Sequence, residues 1–157
     1  MSKSLDYSTI VLSADDNFDT VNKLIADMFI VDQTNIEGSS AENVRIFTVL
    51  QKLWSIHSRK LKKLHTDVKK VEMQRTRHYL GKLPRSHYDK DPLPEAILKS
   101  DVEKYVAIDD IVIEIRTLYQ EQEAIVTLIE EAKKMLNQRG WDIRAIIDLR
   151  KMQAGAS

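Results

Sequence analysis

Nine positions in the second half of the chain constrain its fold most tightly. Ile108, Ile111, Ile115, Leu118, Gln122, Ile125, Ile129, Ala132 and Leu136 are spaced 3-4-3-4-3-4-3-4 without a slip. This is the period of a helix packed along one stripe, sustained over four heptads. Isoleucine at most of these positions favours assemblies above a dimer, so Ile108, Ile111, Ile115, Leu118, Ile125, Ile129 and Leu136 are read as the seam of an oligomerisation helix over about 101–138. Gln122 is a buried-polar candidate that could fix its register. Gly140 is expected to end this helix, and a last short helix over about 141–152 follows, carrying Trp141, Ile143, Ile146, Ile147 and Leu149.

A second long helix is expected upstream. Between Ala41 and Leu80 there is neither Gly nor Pro, and a stripe of Ile46, Leu50, Leu53, His57, Leu61, Leu64, Val68 and Val71 runs through the segment. Forty such residues make a helix of roughly 60 Å over about 41–80. Gly38-Ser39-Ser40 is read as the break before it, with Ser40 as its cap, and Gly81 with Pro84, Pro92 and Pro94 as a hinge over 81–94. A shorter amphipathic helix is expected at about 17–29, after a cap within Asp15-Asp16-Asn17. Residues 1–20 are taken as an N-terminal extension and 21–157 as one helical domain. The fold class is therefore all-α, with long helices, a central hinge loop and coiled-coil-like assembly into a ring.

Charge is balanced in total and segregated in sequence. The 24 Lys and Arg equal the 24 Asp and Glu, yet residues 57–90 hold 11 of the bases, all four His and only three acids, a net of +8. Segregation of this kind creates a local field in a neutral molecule and points to a polyanionic partner. Arg59, Lys60, Lys62, Lys63, Lys69 and Lys70 flank the apolar stripe, and Lys82 and Arg85 follow it. Arg75, Arg77, His78 and Tyr79, with Tyr88 nearby, combine cations with rings that can stack on unpaired bases. Single strands suit this set better than a duplex, which calls for base-reaching side chains on a short helix in a two-fold arrangement. Protonation of the four His would raise the segment to +12 as pH falls through about 6.5.

Chemistry beyond binding finds little support. Zero Cys removes thiol catalysis, disulfides and thiolate metal sites, and no GxxxxGK[ST] phosphate loop is present. Asp109-Asp110 and Glu130-Glu131 are adjacent pairs whose side chains diverge by about 100° on a helix, so they read as solvated faces. His57, His65, His78 and His87 lie 8, 13 and 9 residues apart, outside the helical pattern of metal ligands. Neither a metal nor another cofactor is expected, and the chain is read as a non-enzyme. It has no apolar run of the roughly 20 residues a membrane helix requires.

The run Gln138-Arg139-Gly140-Trp141-Asp142-Ile143-Arg144-Ala145-Ile146-Ile147-Asp148-Leu149-Arg150 with Ala154-Gly155 resembles the end of the UvsY family of myophage recombination mediators. So do the order His57-Ser58, Lys69-Lys70-Val71, the basic corner ending at Gly81, and Lys99-Ser100 before the long helix. The similarity covers roughly residues 22–156. The resemblance implies a non-enzymatic, all-α protein that forms a homo-oligomeric ring of the hexamer or heptamer class. It also implies binding to single-stranded DNA and loading of a RecA-like phage recombinase, with displacement of the phage single-strand-binding protein, in the cytoplasm of the infected bacterial host. In that family a Lys-x-Arg pair before two Tyr contributes to strand binding. Arg75 and Arg77 match it here, with His78 and Tyr79 after them; Arg replaces Lys and His replaces one Tyr. The competing readings are a helical scaffold using its basic face for an acidic protein, and an RNA-binding protein.

Overall fold

The structure, a computed structural model, describes residues 5–94 and 96–155. Five helices follow one another: α1 Phe18–Phe29, α2 Ile36–Tyr79, α3 Arg85–Tyr88, α4 Val102–Ala107 and α5 Asp110–Gly155, with a 3-10 turn at Lys99–Asp101 ahead of α4. No strand occurs among the described residues, and no helix among them is long and apolar enough to cross a membrane. The chain forms two compact units. Unit 1 combines residues up to Arg59 with those from Glu123 onward; unit 2 is Lys60–Gln122.

Unit 1 closes around an apolar core. Val21, Ile25 and Met28 of α1 meet Ile46, Val49, Leu50 and Leu53 of α2 and Ile125, Ile129, Ala132 and Leu136 of α5. The stripe expected on α2 is thus turned inward here, and His57 is fully buried with it. Leu5, Tyr7, Ile10 and Leu12 pack against the same core, so this part of the expected extension is an integral layer; residues 1–4 of it lie outside the described residues.

The expected start of α1 is correct, since Asn17 Oδ1 accepts from Thr20 N at 2.9 Å as an N-cap. The start of α2 is not. Gly38-Ser39-Ser40 lies inside its first turns, and Asn35, not Ser40, caps it by accepting from Gly38 N at 3.0 Å. A Cβ on residue 38 would stand 2.3 Å from the Asn35 amide, so glycine here makes room for the cap and breaks nothing. Gly81 does end α2: its φ is +70°, Lys82 N donates to Arg77 O and Gly81 N to His78 O, the pair of bonds that closes a helix through a left-handed residue.

Gly140, expected to terminate the last long helix, does not. Arg139 and Ile143 on either side are buried, and their tertiary contacts outweigh the roughly 1 kcal/mol that glycine costs within a helix. Arg139 Nε and Nη2 donate to the carbonyls of Phe29 and Ile30 at the end of α1, and Nη1 donates to Ser39 O at 2.8 Å and to Asn43 Oδ1. One side chain thereby ties α5 to the end of α1 and the start of α2.

Unit 2 has a small apolar core, Val102, Val106 and Val112, backed by Val71, Tyr79, Leu80 and Ile97. Its remaining interior is polar and is centred on Arg75.

Candidate nucleic-acid interface

Helix α2 sorts its basic residues by angle. At about 100° per residue, Lys62, Lys63, Lys69, Lys70 and Arg77 fall within an arc of roughly 120°, while Arg75 lies opposite its centre. Burial agrees: those five are exposed, as are Lys82 and Arg85 after the helix and Arg59 at the end of unit 1. Lys60, off this arc, is half-buried. Among the described residues, Lys62, Lys63, Lys69, Lys70, Arg77, Lys82 and Arg85 make no ion pair. The two helical acids of the segment leave the stripe uncompensated. Glu72 pairs with Arg116 Nη2 at 2.7 Å, and Asp67 is half-buried outside the arc.

The corner Arg75-Thr76-Arg77-His78-Tyr79 divides accordingly. Arg77 faces solvent; Arg75, His78 and Tyr79 turn inward. Residues two apart on a helix point about 200° apart, so Arg75 and Arg77 cannot share one strand-facing surface. Arg75 Nε donates to Asp109 Oδ2 at 2.7 Å and Nη1 to Asp91 Oδ2 at 2.6 Å, with the guanidinium 5.4 Å from the centre of the Tyr79 ring. Tyr79 Oη donates to the same Asp109 oxygen at 2.7 Å. The other oxygen, Oδ1, accepts from Ile111 N and Val112 N, which makes Asp109 the N-cap of α5.

Asp109 is therefore buried and fully engaged, not part of a solvated face; only its neighbour Asp110 is exposed. Burial alone would raise its pKa, but the hydrogen bonds from Tyr79 and Arg75 outweigh that and hold it below the ordinary carboxylate value. The Arg75 hydrogen bond likewise lowers Asp91. Burial works against the Arg75 charge, and the bonds to Asp91 and Asp109 more than restore it. His78 is pushed down by burial and by the Arg75 charge.

His78 is fully buried beneath Tyr88, whose ring stacks on it at 5.3 Å and whose hydroxyl donates to the His78 carbonyl. His87 meets it, Nδ1 of His78 lying 2.9 Å from Nε2 of His87. Spacing along the sequence gave no sign of this pair, because the turn at Gly81 and not a helical period brings the two rings together.

The expected seam of α5 divides between the units. Ile125, Ile129 and Leu136 are buried in the core of unit 1 and so are covered by the chain itself. Gln122 is buried, Ile115 half-buried, and Ile108, Ile111 and Leu118 are exposed at 70%, 50% and 46%. Only this upstream part of the stripe is open to a second copy.

Comparison with known proteins agrees with the architecture. Crystal structures of the bacteriophage T4 recombination mediator protein UvsY share the fold. The lattice type II form matches with a TM-score of 0.77 at 18% identity, covering 88% of this chain and 98% of that one. The lattice type IV form matches with a TM-score of 0.71 at 16% identity, covering 86% and 97%. No individually curated protein sequence matches the chain. The sequence profile of the family described as recombination, repair and ssDNA binding protein UvsY matches residues 23–156. The chain belongs to the UvsY family.

Proposed function

We propose that this protein binds single-stranded DNA along the cationic stripe of α2 and, as a homo-oligomer in the infected host cell, loads a RecA-like recombinase while displacing the single-strand-binding protein. The observation that carries the reading is the stripe itself: Lys62, Lys63, Lys69, Lys70 and Arg77 on one helical face without ion-pair partners among the described residues. Family membership supplies the polyanion. Lys82 and Arg85 extend the same charge beyond Gly81, and Lys60 and Arg59 precede it. Arg75, His78 and Tyr79 contribute by shaping the end of α2, not by touching the strand.

Self-association through Ile108, Ile111 and Leu118 would repeat the stripe around a closed assembly. Weak contacts repeated in this way raise apparent affinity steeply. A strand held at many points loosens from a competing binding protein and is presented to the recombinase.

Fluorescence anisotropy with a labelled oligothymidylate at increasing NaCl tests the stripe. The wild type should lose affinity linearly in log-log form, and Lys62→Ala/Lys69→Ala/Lys70→Ala should make the slope shallower by about 2, at roughly 0.7 per phosphate contact. An unchanged slope in that variant removes the stripe from the interface. Loading is read separately, by recombinase filament assembly on strands coated with single-strand-binding protein: the wild type should accelerate it and the triple variant should not.

A further inference from the structure

His78, His87 and Asp91 converge where α2, α3 and the residue three positions after α3 meet within unit 2. One ligand atom from each can be chosen so that all three lie within 4.8 Å of one another. His87 Nε2 is 2.9 Å from His78 Nδ1 and 3.8 Å from Asp91 Oδ2, and His78 Nε2 is also 3.8 Å from that oxygen. We propose that these three residues form a binding site for a divalent transition-metal ion of the zinc class, which ties α3 and the following turn to the end of α2.

Geometry supports the assignment. Zinc bonds to imidazole nitrogen and carboxylate oxygen are about 2.0–2.2 Å long, which places tetrahedral ligand atoms about 3.3 Å apart. Two of the three ligand separations, 2.9 Å between His78 Nδ1 and His87 Nε2 and 3.8 Å between His87 Nε2 and Asp91 Oδ2, bracket that value, and a turn of the Asp91 carboxylate toward the imidazoles admits the ion. The rings are already held. Tyr88 stacks on His78, its hydroxyl donates to the His78 carbonyl and accepts from Leu83 N, and Tyr79 meets the His78 ring edge-on at 4.9 Å. These ring contacts hold the His78 imidazole in one orientation.

Charge points the same way. Arg75 carries one positive charge and faces two carboxylates, Asp91 and Asp109, which leaves one negative charge unmatched beside two imidazoles. A dication meets that excess. Arg75 does not obstruct it, because the guanidinium keeps Asp109 when Asp91 turns toward the ion. Three protein ligands leave a fourth position for water, the pattern of an open zinc site.

The test uses the full chain and zinc chloride in isothermal titration calorimetry, with ring NMR of the four histidines. One zinc per chain should bind. The resonances of His78 and His87 should move while those of His65, exposed elsewhere in unit 2, and His57 in unit 1 stay in place. His87→Ala and Asp91→Ala should each weaken binding at least about tenfold, the lower bound for losing even an outer contact, while His65→Ala should leave it unchanged. Absence of stoichiometric binding, or a shift at His65 as large as at His87, overturns the site. The NMR arm is read on the wild type, so a variant that failed to fold would not protect the proposal.

Discussion

Units 1 and 2 are stabilised in opposite ways, and each contains an inward-turned arginine that shows how. In unit 1, eleven buried apolar residues form the core, and Arg139 sits at its margin with its hydrogen bonds directed to backbone carbonyls and an amide oxygen. Burial lowers its pKa, and the Glu42 carboxylate at 3.9 Å restores only part of that loss. Among the described residues of unit 2, three apolar side chains are buried together, and Arg75 is held by two carboxylates and a ring. Unit 1 is stabilised chiefly by area removed from water. Unit 2 depends on a hydrogen-bonded charge cluster, which is costly to break at a single point.

The largest effect expected is therefore in unit 2. Asp109→Ala removes the partner of Arg75 and Tyr79 and the cap of α5 in one step. Breaking a buried ion pair costs about 3–5 kcal/mol, and hydrogen exchange should show the amides of residues 102–122 losing protection while those around Ile129 keep theirs. Equal loss in both units would mean that they unfold as one and that the contrast between them is only local. Leu50→Ala is the converse. Leu50 is fully buried in unit 1, and its truncation should cost about 3 kcal/mol, read as a lower urea midpoint with protection lost around Leu50 and Ile129 first.

Acid distinguishes the units more gently. The pKa of Asp109 is depressed in the folded state, so its stabilisation is complete above the ordinary value of 3.8 and is lost as pH falls through the folded value. In unit 1 the lowered carboxylates, Asp6 and Asp32, are held by neighbours two residues on, Ser8 and Thr34, and close local turns without joining helices. Amide protection in unit 2 should therefore fall first on acidification, and Asp109→Asn, which cannot titrate, should flatten the dependence. Parallel loss in the two units under acid would assign the sensitivity to groups elsewhere.

The same contrast explains what was legible in the sequence. The helices, their apolar stripes, the stop at Gly81 and the run of cations on α2 follow from period and turn chemistry, which act over a few residues. What escaped depends on partners far along the chain. Asp109 resembles Asp110 until Arg75, 34 positions away, is placed beside it. Arg75 and Arg77 form a matched pair in one dimension and point apart in three. Gly140 and Gly38 read as breaks because the contacts of Arg139 and the Asn35 cap cannot be seen locally. His78 and His87 resembled no ligand pattern because such patterns presume a single helix, whereas these rings meet across a turn.

The smallest stability change gives the sharpest view of the stripe on α5. Its 3-4 spacing is unbroken, yet Ile129 is fully buried in unit 1 while Ile111 and Leu118 in unit 2 are about half exposed. Periodicity identifies an apolar face without saying what covers it; in unit 1 the chain covers its own. Ile111→Ser/Leu118→Ser should thus change folding stability by no more than about 0.5 kcal/mol for each exposed site. If a second copy covers this face, the same variant should lower the mass measured by light scattering, because an apolar contact between copies is lost while each chain stays folded. Ile129→Ser separates the two roles, since it should destabilise the fold itself by several kcal/mol through the cavity and the buried hydroxyl it introduces. An assembly unaltered by Ile111→Ser/Leu118→Ser would move the interface to another exposed apolar group, such as Trp141, Leu149 and Met152 in unit 1.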